Sequence, residues 1–392
     1  MPTRRFGRTG LSMPVFSCGG MRYQHQWKDL PPEDIPPENQ ANLEATIHRA
    51  VELGINHIET ARGYGTSEMQ LGRVLPTLPR DSIIVQTKIA PMATAQEFLD
   101  TFNTSMGYLR LDHVDLLSIH GINNRELLRQ TLDIALPAAE TLRHQGRCRF
   151  IGFSTHADLP TILDTIATDA FDYINLHWYF VNEINWPAIQ AARRHDMGVF
   201  IISPNDKGGK LYAPSPELRE ACLPLSPMIF NDLFCLNRPE VHTLSLGAAR
   251  PSDFDEHLRA LAYYHNIPAT IEPVERRLRA ALLSACGSHW IAAWHHALPP
   301  WEQVPGGVNL HEILRLWTLM TALGLTEFGK MRYNLLGNAG HWFPGQPASS
   351  ASPDQLRPLL HHHPFPEKVL AALEDAHRHL ADTPVQRLSQ SD

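Results

Sequence analysis

Short runs of apolar and β-branched residues recur along this chain, and between them apolar positions fall three and four apart. The runs cover residues 15–19, 56–60, 82–88, 113–119, 148–154, 172–177, 198–203 and 241–246. Strand-like runs that alternate with helical segments predict a parallel sheet, and eight of them predict one closed on itself, a (β/α)8 TIM barrel. An open doubly wound sheet is the competitor. The number of runs disfavours it, as does the lack of a Gly-x-Gly-x-x-Gly turn after the first run. Leu43, Ile47, Ala50 and Val51 put an apolar stripe on the first helix, with Gly54 as its stop. Thr66-Ser67-x-Met69 opens a second helix. Phe98, Phe102, Met106 and Leu109 mark a third. Residues 21–40 are rich in proline and charge and read as a long first βα loop that arches over the barrel mouth, where loops carry specificity.

From about residue 268 the alternation stops. Helical segments follow at 272–285, 310–324 and 367–380, with Pro-, Gly-, Trp- and His-rich connections. The expected division is a barrel over 1–267 and a helical C-terminal extension over 268–392. Trp290, Trp294, Trp301, Trp317 and Trp342 are expected to pack the extension onto the barrel rather than to stack on bases. The last ten residues are expected to fray.

Composition narrows the function. The chain has 392 residues and a net charge of −7, without the broadly basic character of a nucleic-acid binder. No run is long and apolar enough for a membrane span, and the basic N-terminus has no apolar stretch behind it to make a secretory signal. Cys18, Cys148, Cys222, Cys235 and Cys286 are scattered and lack Cys-x-x-Cys spacing. That argues against zinc and disulfides and fits a reducing cytoplasm. The consecutive His361-His362-His363 do not converge on one ion, so no metal is expected. The sequence is silent on oligomeric state.

The chemistry gathers at three run ends. Tyr64 follows the second run, Lys88 ends the third, and His120 follows the fourth. In a parallel barrel these ends share one rim, the rim on which active sites of that architecture lie. A carbonyl accepts hydride only as its oxygen is protonated or polarised. Tyrosine can supply the proton, although its unperturbed pKa is about 10, and a nearby ammonium favours the phenolate. Glu59 stands where a carboxylate would hold the lysine, and a neutral imidazole can orient the carbonyl oxygen. Glu59, Tyr64, Lys88 and His120 thus form a coherent general-acid site for reduction, or a base for the reverse. Each also occurs by chance near strand ends, where its role would be structural.

Glu59-Thr60-Ala61-Arg62-Gly63-Tyr64-Gly65-Thr66-Ser67-Glu68 resembles the Asp-Thr-Ala-x-x-Tyr-Gly-x-Ser-Glu signature of the aldo-keto reductases. The likeness continues through Gln86-Thr87-Lys88, Ser118-Ile119-His120, Ile151-Gly152-Phe153-Ser154-Thr155-His156, Ser203-Pro204 and Ser245-Leu246-Gly247, and covers about residues 3–265. It implies a (β/α)8 barrel that binds NADP, or NAD, without a Rossmann domain. It also implies Tyr64 as proton donor, Lys88 as its partner and His120 as the orienting group. Glu59 departs from the family's Asp.

The resemblance extends to the cofactor. Gly20, Met21 and Arg22 match the loop nearest the nicotinamide end, and Ser154 and Asn175 match the carboxamide positions. Ser203, Pro204, Lys207 and Gly208 match the loop after the seventh strand. Gly247, Ala249, Arg250, Asp253 and His257 match the stretch that grips the adenosine phosphate, with Arg250 placed to pair a 2′-phosphate. Ile202 replaces a ring that stacks on the nicotinamide in many members. The C-terminal part resembles a subset with ferredoxin-like extensions, but it has no cysteine after Cys286, so no iron–sulfur cluster is expected. The implied function is NAD(P)H-dependent reduction of a small-molecule aldehyde or ketone in the cytoplasm, with neither nucleic acid nor membrane as partner. The alternative is a nicotinamide-binding regulatory or scaffold protein with little catalysis. A barrel that binds no nicotinamide is a third reading.

Overall fold

The computed structural model describes residues 1–384; the expected frayed end and the close of the extension at 392 lie largely outside that range. Eight parallel strands close into a barrel: β3 Phe16–Gly19, β4 His57–Glu59, β5 Ile84–Ile89, β6 Val114–His120, β7 Cys148–Ser154, β8 Tyr173–Leu176, β9 Gly198–Ile201 and β10 Thr243–Leu246. β10 pairs with β3 to complete the ring. Every expected run holds one strand; most are shorter than their runs, β7 matches its run, and β5 and β6 each extend one residue further, to Ile89 and His120. The third begins at Ile84 because residues Arg80–Ser82 form a 3-10 turn. Two further strands precede the barrel, β1 Thr3–Arg5 and β2 Ser12–Pro14, an antiparallel pair. Three-residue strands carry too little periodicity to read. Phe6 and Met13 from this region join Ile84, Leu116, Tyr173 and Phe200 in a buried cluster.

The first helix runs Pro37–Glu52 and buries Leu43, Ile47 and Ala50, while Val51 stays partly exposed. Gly54 follows at φ +77°, a conformation that suits glycine. Helix Ala95–Leu109 starts on a capping box: Thr94 accepts from Glu97 N–H, and Glu97 accepts from Thr94 N–H. It buries Phe98, Phe102, Met106 and Leu109. The loop between β3 and the first helix is not wholly peripheral, since Tyr23 and Ile35 are buried.

By its contacts the chain forms two compact units. The first comprises Met1–Gly208 and Asn231–His265, and includes the barrel. The second comprises Gly209–Phe230 and the described residues from Asn266 on. The second unit is helical, with Ile267–Cys286, Leu310–Leu323, Thr326–Tyr333 and Pro366–Leu380 as its longer helices. Trp290 is buried, donates to Thr318 Oγ1 at 3.0 Å and meets the Trp317 ring edge-on at 5.3 Å. Lys368 lies over Trp290. His363 engages backbone through both ring nitrogens, toward Trp294 O and Phe365 N. Among the described residues no helix is long and apolar enough to cross a membrane, and no group of three or more His, Cys, Asp or Glu could hold a metal.

Candidate active site

Parallel strands in register carry the chemical groups to one end of the barrel. Glu59 ends β4 opposite Gln86, Lys88 lies on β5 opposite Ser118, and His120 ends β6 opposite Ser154. Tyr64 sits in the turn after β4. That turn is fixed by Thr60 N–H to Gln86 O, Arg62 N–H to Lys88 O and Tyr64 N–H to Ala61 O. Gly65 has φ +54°, and a Cβ there would lie 2.0 Å from Gln26 O, so the first loop packs on this turn only because the residue is glycine.

Lys88 and Glu59 form a buried ion pair, with side chains 1% and 4% exposed. The extra methylene of Glu59 therefore does not break the pair. Lys88 Nζ also donates to Thr60 O at 2.8 Å and to the Tyr64 hydroxyl at 3.2 Å. Ser245 donates to the other Glu59 oxygen at 3.4 Å. Burial pushes the Lys88 ammonium well below the usual lysine value, and the carboxylate in contact works the other way. The His120 ring stands edge-on to Tyr64 with centroids 5.8 Å apart, and Trp27 stands edge-on from the opposite loop at 6.1 Å. Ser245 and Trp27 were not foreseen. Neither lies in a chemically distinctive pattern, although Ser245 falls within the recognised Ser-Leu-Gly.

The expected cofactor residues fall into three groups. Ser154 and Asn175 pair across β7 and β8. Ser154 Oγ accepts from Gly121 N–H at 3.0 Å. Asn175 is fully buried, and neither its amide oxygen nor its nitrogen has a partner among the described residues. A buried primary amide costs on the order of 1–3 kcal/mol for each unmet group, and a nicotinamide carboxamide supplies the complementary donor and acceptor. The residues present thus fit that group. Gly20 belongs to the same rim: a Cβ there would lie 2.6 Å from Glu59 O. Met21 is half-buried beside it.

The second group follows β9. Ser203 has φ +54°, a left-handed conformation unusual for a non-glycine residue, and leads into Pro204–Lys207 and Gly208. Asp206 forms an ion pair with Arg22, whose side chain lies against Gly247. Lys207 Nζ is 3.3 Å from His156 Nδ1 and 3.2 Å from His177 Nε2, and the two imidazoles are 3.1 Å apart. His177 Nδ1 meets the Tyr179 hydroxyl at 2.6 Å. His156 closes the recognised stretch 151–156, and His177 lies two residues beyond Asn175.

The third group follows β10. Asp253 accepts from Ala249 N–H at 2.9 Å and from Arg250 Nε at 3.0 Å, and the Arg250 side chain is 71% exposed. His257 is buried and bonded to Asp232, a residue that sequence pattern did not single out.

The model of the Aldo/keto reductase family matches residues 16–161. L-Galactose dehydrogenase of Arabidopsis thaliana is 29% identical over 238 residues, 56% of this chain and 72% of the plant protein. Among solved structures, an aldo-keto reductase of Bacillus halodurans in its holo form superposes with TM-score 0.60 at 18% identity, over 71% of this chain and 96% of its own. One from Klebsiella pneumoniae, in complex with NADPH, gives 0.54 at 18% identity, over 66% and 89%. These two likenesses concern the fold.

Proposed function

This chain belongs to the aldo-keto reductase family, and on that premise we propose that it reduces an aldehyde or ketone to an alcohol with NADPH, NADH being the less favoured donor. The dinucleotide, when bound, supplies the hydride. One observation carries the reading: the Tyr64 hydroxyl lies 3.2 Å from a buried ammonium that a buried carboxylate balances. As hydride reaches the carbonyl carbon, charge grows on the oxygen. Tyr64 gives its proton to that oxygen, and Lys88 stabilises the phenolate left behind. Glu59 keeps Lys88 charged and in place. His120 orients the substrate oxygen.

Ser154 and Asn175 would take the nicotinamide carboxamide. Arg22, the loop from Ser203 to Gly208 and the stretch from Gly247 to His257 would hold the rest, with Arg250 on the 2′-phosphate. The plant relative's name makes polyhydroxylated aldehydes the first substrates to try, and the Lys207–His156–His177 cluster offers a hydroxyl-rich ligand several polar partners. The five cysteines are all buried and free, in keeping with a cytoplasmic setting. The test is oxidation of NADPH against a panel of aldoses, simple aldehydes and quinones, with cofactor affinity measured separately by calorimetry.

A second reading is a nicotinamide-binding regulator of the same fold. It is favoured by Ile202 at the position of the stacking ring and by Asp253 holding Arg250. Tight NADPH binding with no turnover across the panel would favour it.

A further inference from the structure

Three hydrogen-bonded side chains run from within the proposed cofactor loop to a helix packed against it, and nothing above assigns this connection a role. Asp232 is on helix Pro227–Leu236, His257 on helix Phe254–Ala260, and Asn205 on the short helix Pro204–Lys207 after β9. His257 Nδ1 meets Asp232 Oδ2 at 2.5 Å, with the two side chains 3% and 0% exposed. The other imidazole nitrogen, Nε2, lies 3.2 Å from Asn205 Nδ2. Asn205 Oδ1 is buried and has no partner among the described residues.

Two proton arrangements fit these positions. A neutral His257 keeps its proton on Nδ1, donates it to Asp232, and accepts at Nε2 from the Asn205 amide. The amide carbonyl is then left unmatched. A charged His257 donates from both nitrogens, and the amide is turned over so that its carbonyl accepts from Nε2. The two ends of an amide have nearly the same shape, so the same space serves both. Burial raises the Asp232 carboxyl and by itself would lower His257. The contact with Asp232, with Glu256 and Asp253 beyond it, outweighs burial and raises the imidazole above its ordinary value. The uncharged Phe16 ring also packs against His257, with centroids 5.9 Å apart, and in the Asn205 loop Asp206 is paired with Arg22.

We propose that Asp232, His257 and Asn205 are positioning residues for the dinucleotide: an imidazolium held by Asp232 fixes the Asn205 amide with its NH2 group outward, as a donor to the phosphate-bearing adenosine half of NADPH. This rests on the cofactor reading above and goes beyond it. The family pattern put His257 among the groups that touch the cofactor; here it stands behind Asn205 and acts through it. Loss of the imidazolium proton turns the carbonyl oxygen outward against a phosphate and weakens binding. Affinity is therefore full while His257 is protonated and declines as pH rises through its raised pKa.

The test is NADPH binding to the full chain, followed by tryptophan fluorescence and by calorimetry from about pH 7 to about pH 9.5. Over that range a phosphate of second pKa near 6 is already ionised. The wild-type Kd is expected to rise with pH by about tenfold, the scale of one hydrogen bond to a charged group. Calorimetry in buffers of different ionisation enthalpy should record proton uptake on binding near the midpoint. Asn205→Asp keeps the contact with the imidazolium but removes the donor, so it should bind about tenfold more weakly with an unchanged melting temperature. Asp232→Asn should move the midpoint of the pH profile to lower pH. A wild-type Kd that is flat with pH, or Asn205→Asp binding as tightly as wild type, overturns the proposal and leaves the cofactor reading standing. Failure of the wild type to bind NADPH at any pH overturns both.

Discussion

At the scale of single residues the site depends on one buried charge pair and the phenol it touches. Tyr64→Phe removes a proton and little else. The expected loss in kcat is about 10²–10⁴-fold, the usual worth of a general acid, with NADPH affinity unchanged by titration calorimetry. Lys88→Met has a different signature. It leaves Glu59 buried without its cation, so thermal or urea unfolding should record a loss of about 3–5 kcal/mol together with the loss of turnover. The double variant Lys88→Met with Glu59→Leu should recover most of that stability and none of the activity, which separates the structural part of the pair from the chemical part. The four catalytic candidates were legible as a group, because the ends of neighbouring parallel strands share one rim and the motifs around them resemble a known family. Asn175 was legible only through resemblance, and its unmet amide became apparent once the strands were in register.

Among elements, the barrel interior beneath the site carries a hydrogen-bonded belt. Thr243 and His57 both meet Ser17 Oγ, at 2.6 and 2.7 Å, and His57 Nε2 meets Gln86 Oε1 at 3.1 Å. Gln86 donates to Ser118 Oγ, which meets the Tyr173 hydroxyl, each at 3.0 Å. Six strands are tied together by side chains that period-two reading treats as interruptions. Burial pulls the His57 pKa down to about 3. An unfolded imidazole takes its proton near pH 6.5, whereas the folded one does so only near pH 3. The belt's contribution is thus complete above pH 6.5 and declines as pH falls, by up to about 1.4 kcal/mol per unit. His57→Gln can keep polar contacts in the belt without that titration. Its unfolding free energy, measured by urea between about pH 6.5 and pH 4, should fall less steeply with acid than the wild type's.

For the whole molecule, every residue proposed to hold the dinucleotide belongs to the first unit. NADPH at about 100 times its Kd should stabilise that unit by about 2.7 kcal/mol. Scanning calorimetry should record this as an upward shift of the barrel's transition. Chain order is a poor guide to these units. Gly209–Phe230 lies between two barrel strands in sequence yet groups with the later helices, through contacts such as Arg277 Nε to Ala221 O at 3.0 Å and Ser215 Oγ to Leu323 O at 2.6 Å. Helical periodicity gives each segment an apolar face but does not say which partner covers it.

The sequence by itself determined the barrel, because alternating strands and helices of this number have few ways to bury their apolar faces. It also determined that the candidate residues share one end, because parallel strands deliver their C-terminal residues to one rim. Only the tertiary structure decided that Glu59 reaches Lys88, that the Asn175 amide has no partner among the described residues, and that His257 bonds to Asp232. Those outcomes depend on distances of a few ångströms between residues far apart in the chain. A one-dimensional pattern of residue types carries no such distances; packing sets them.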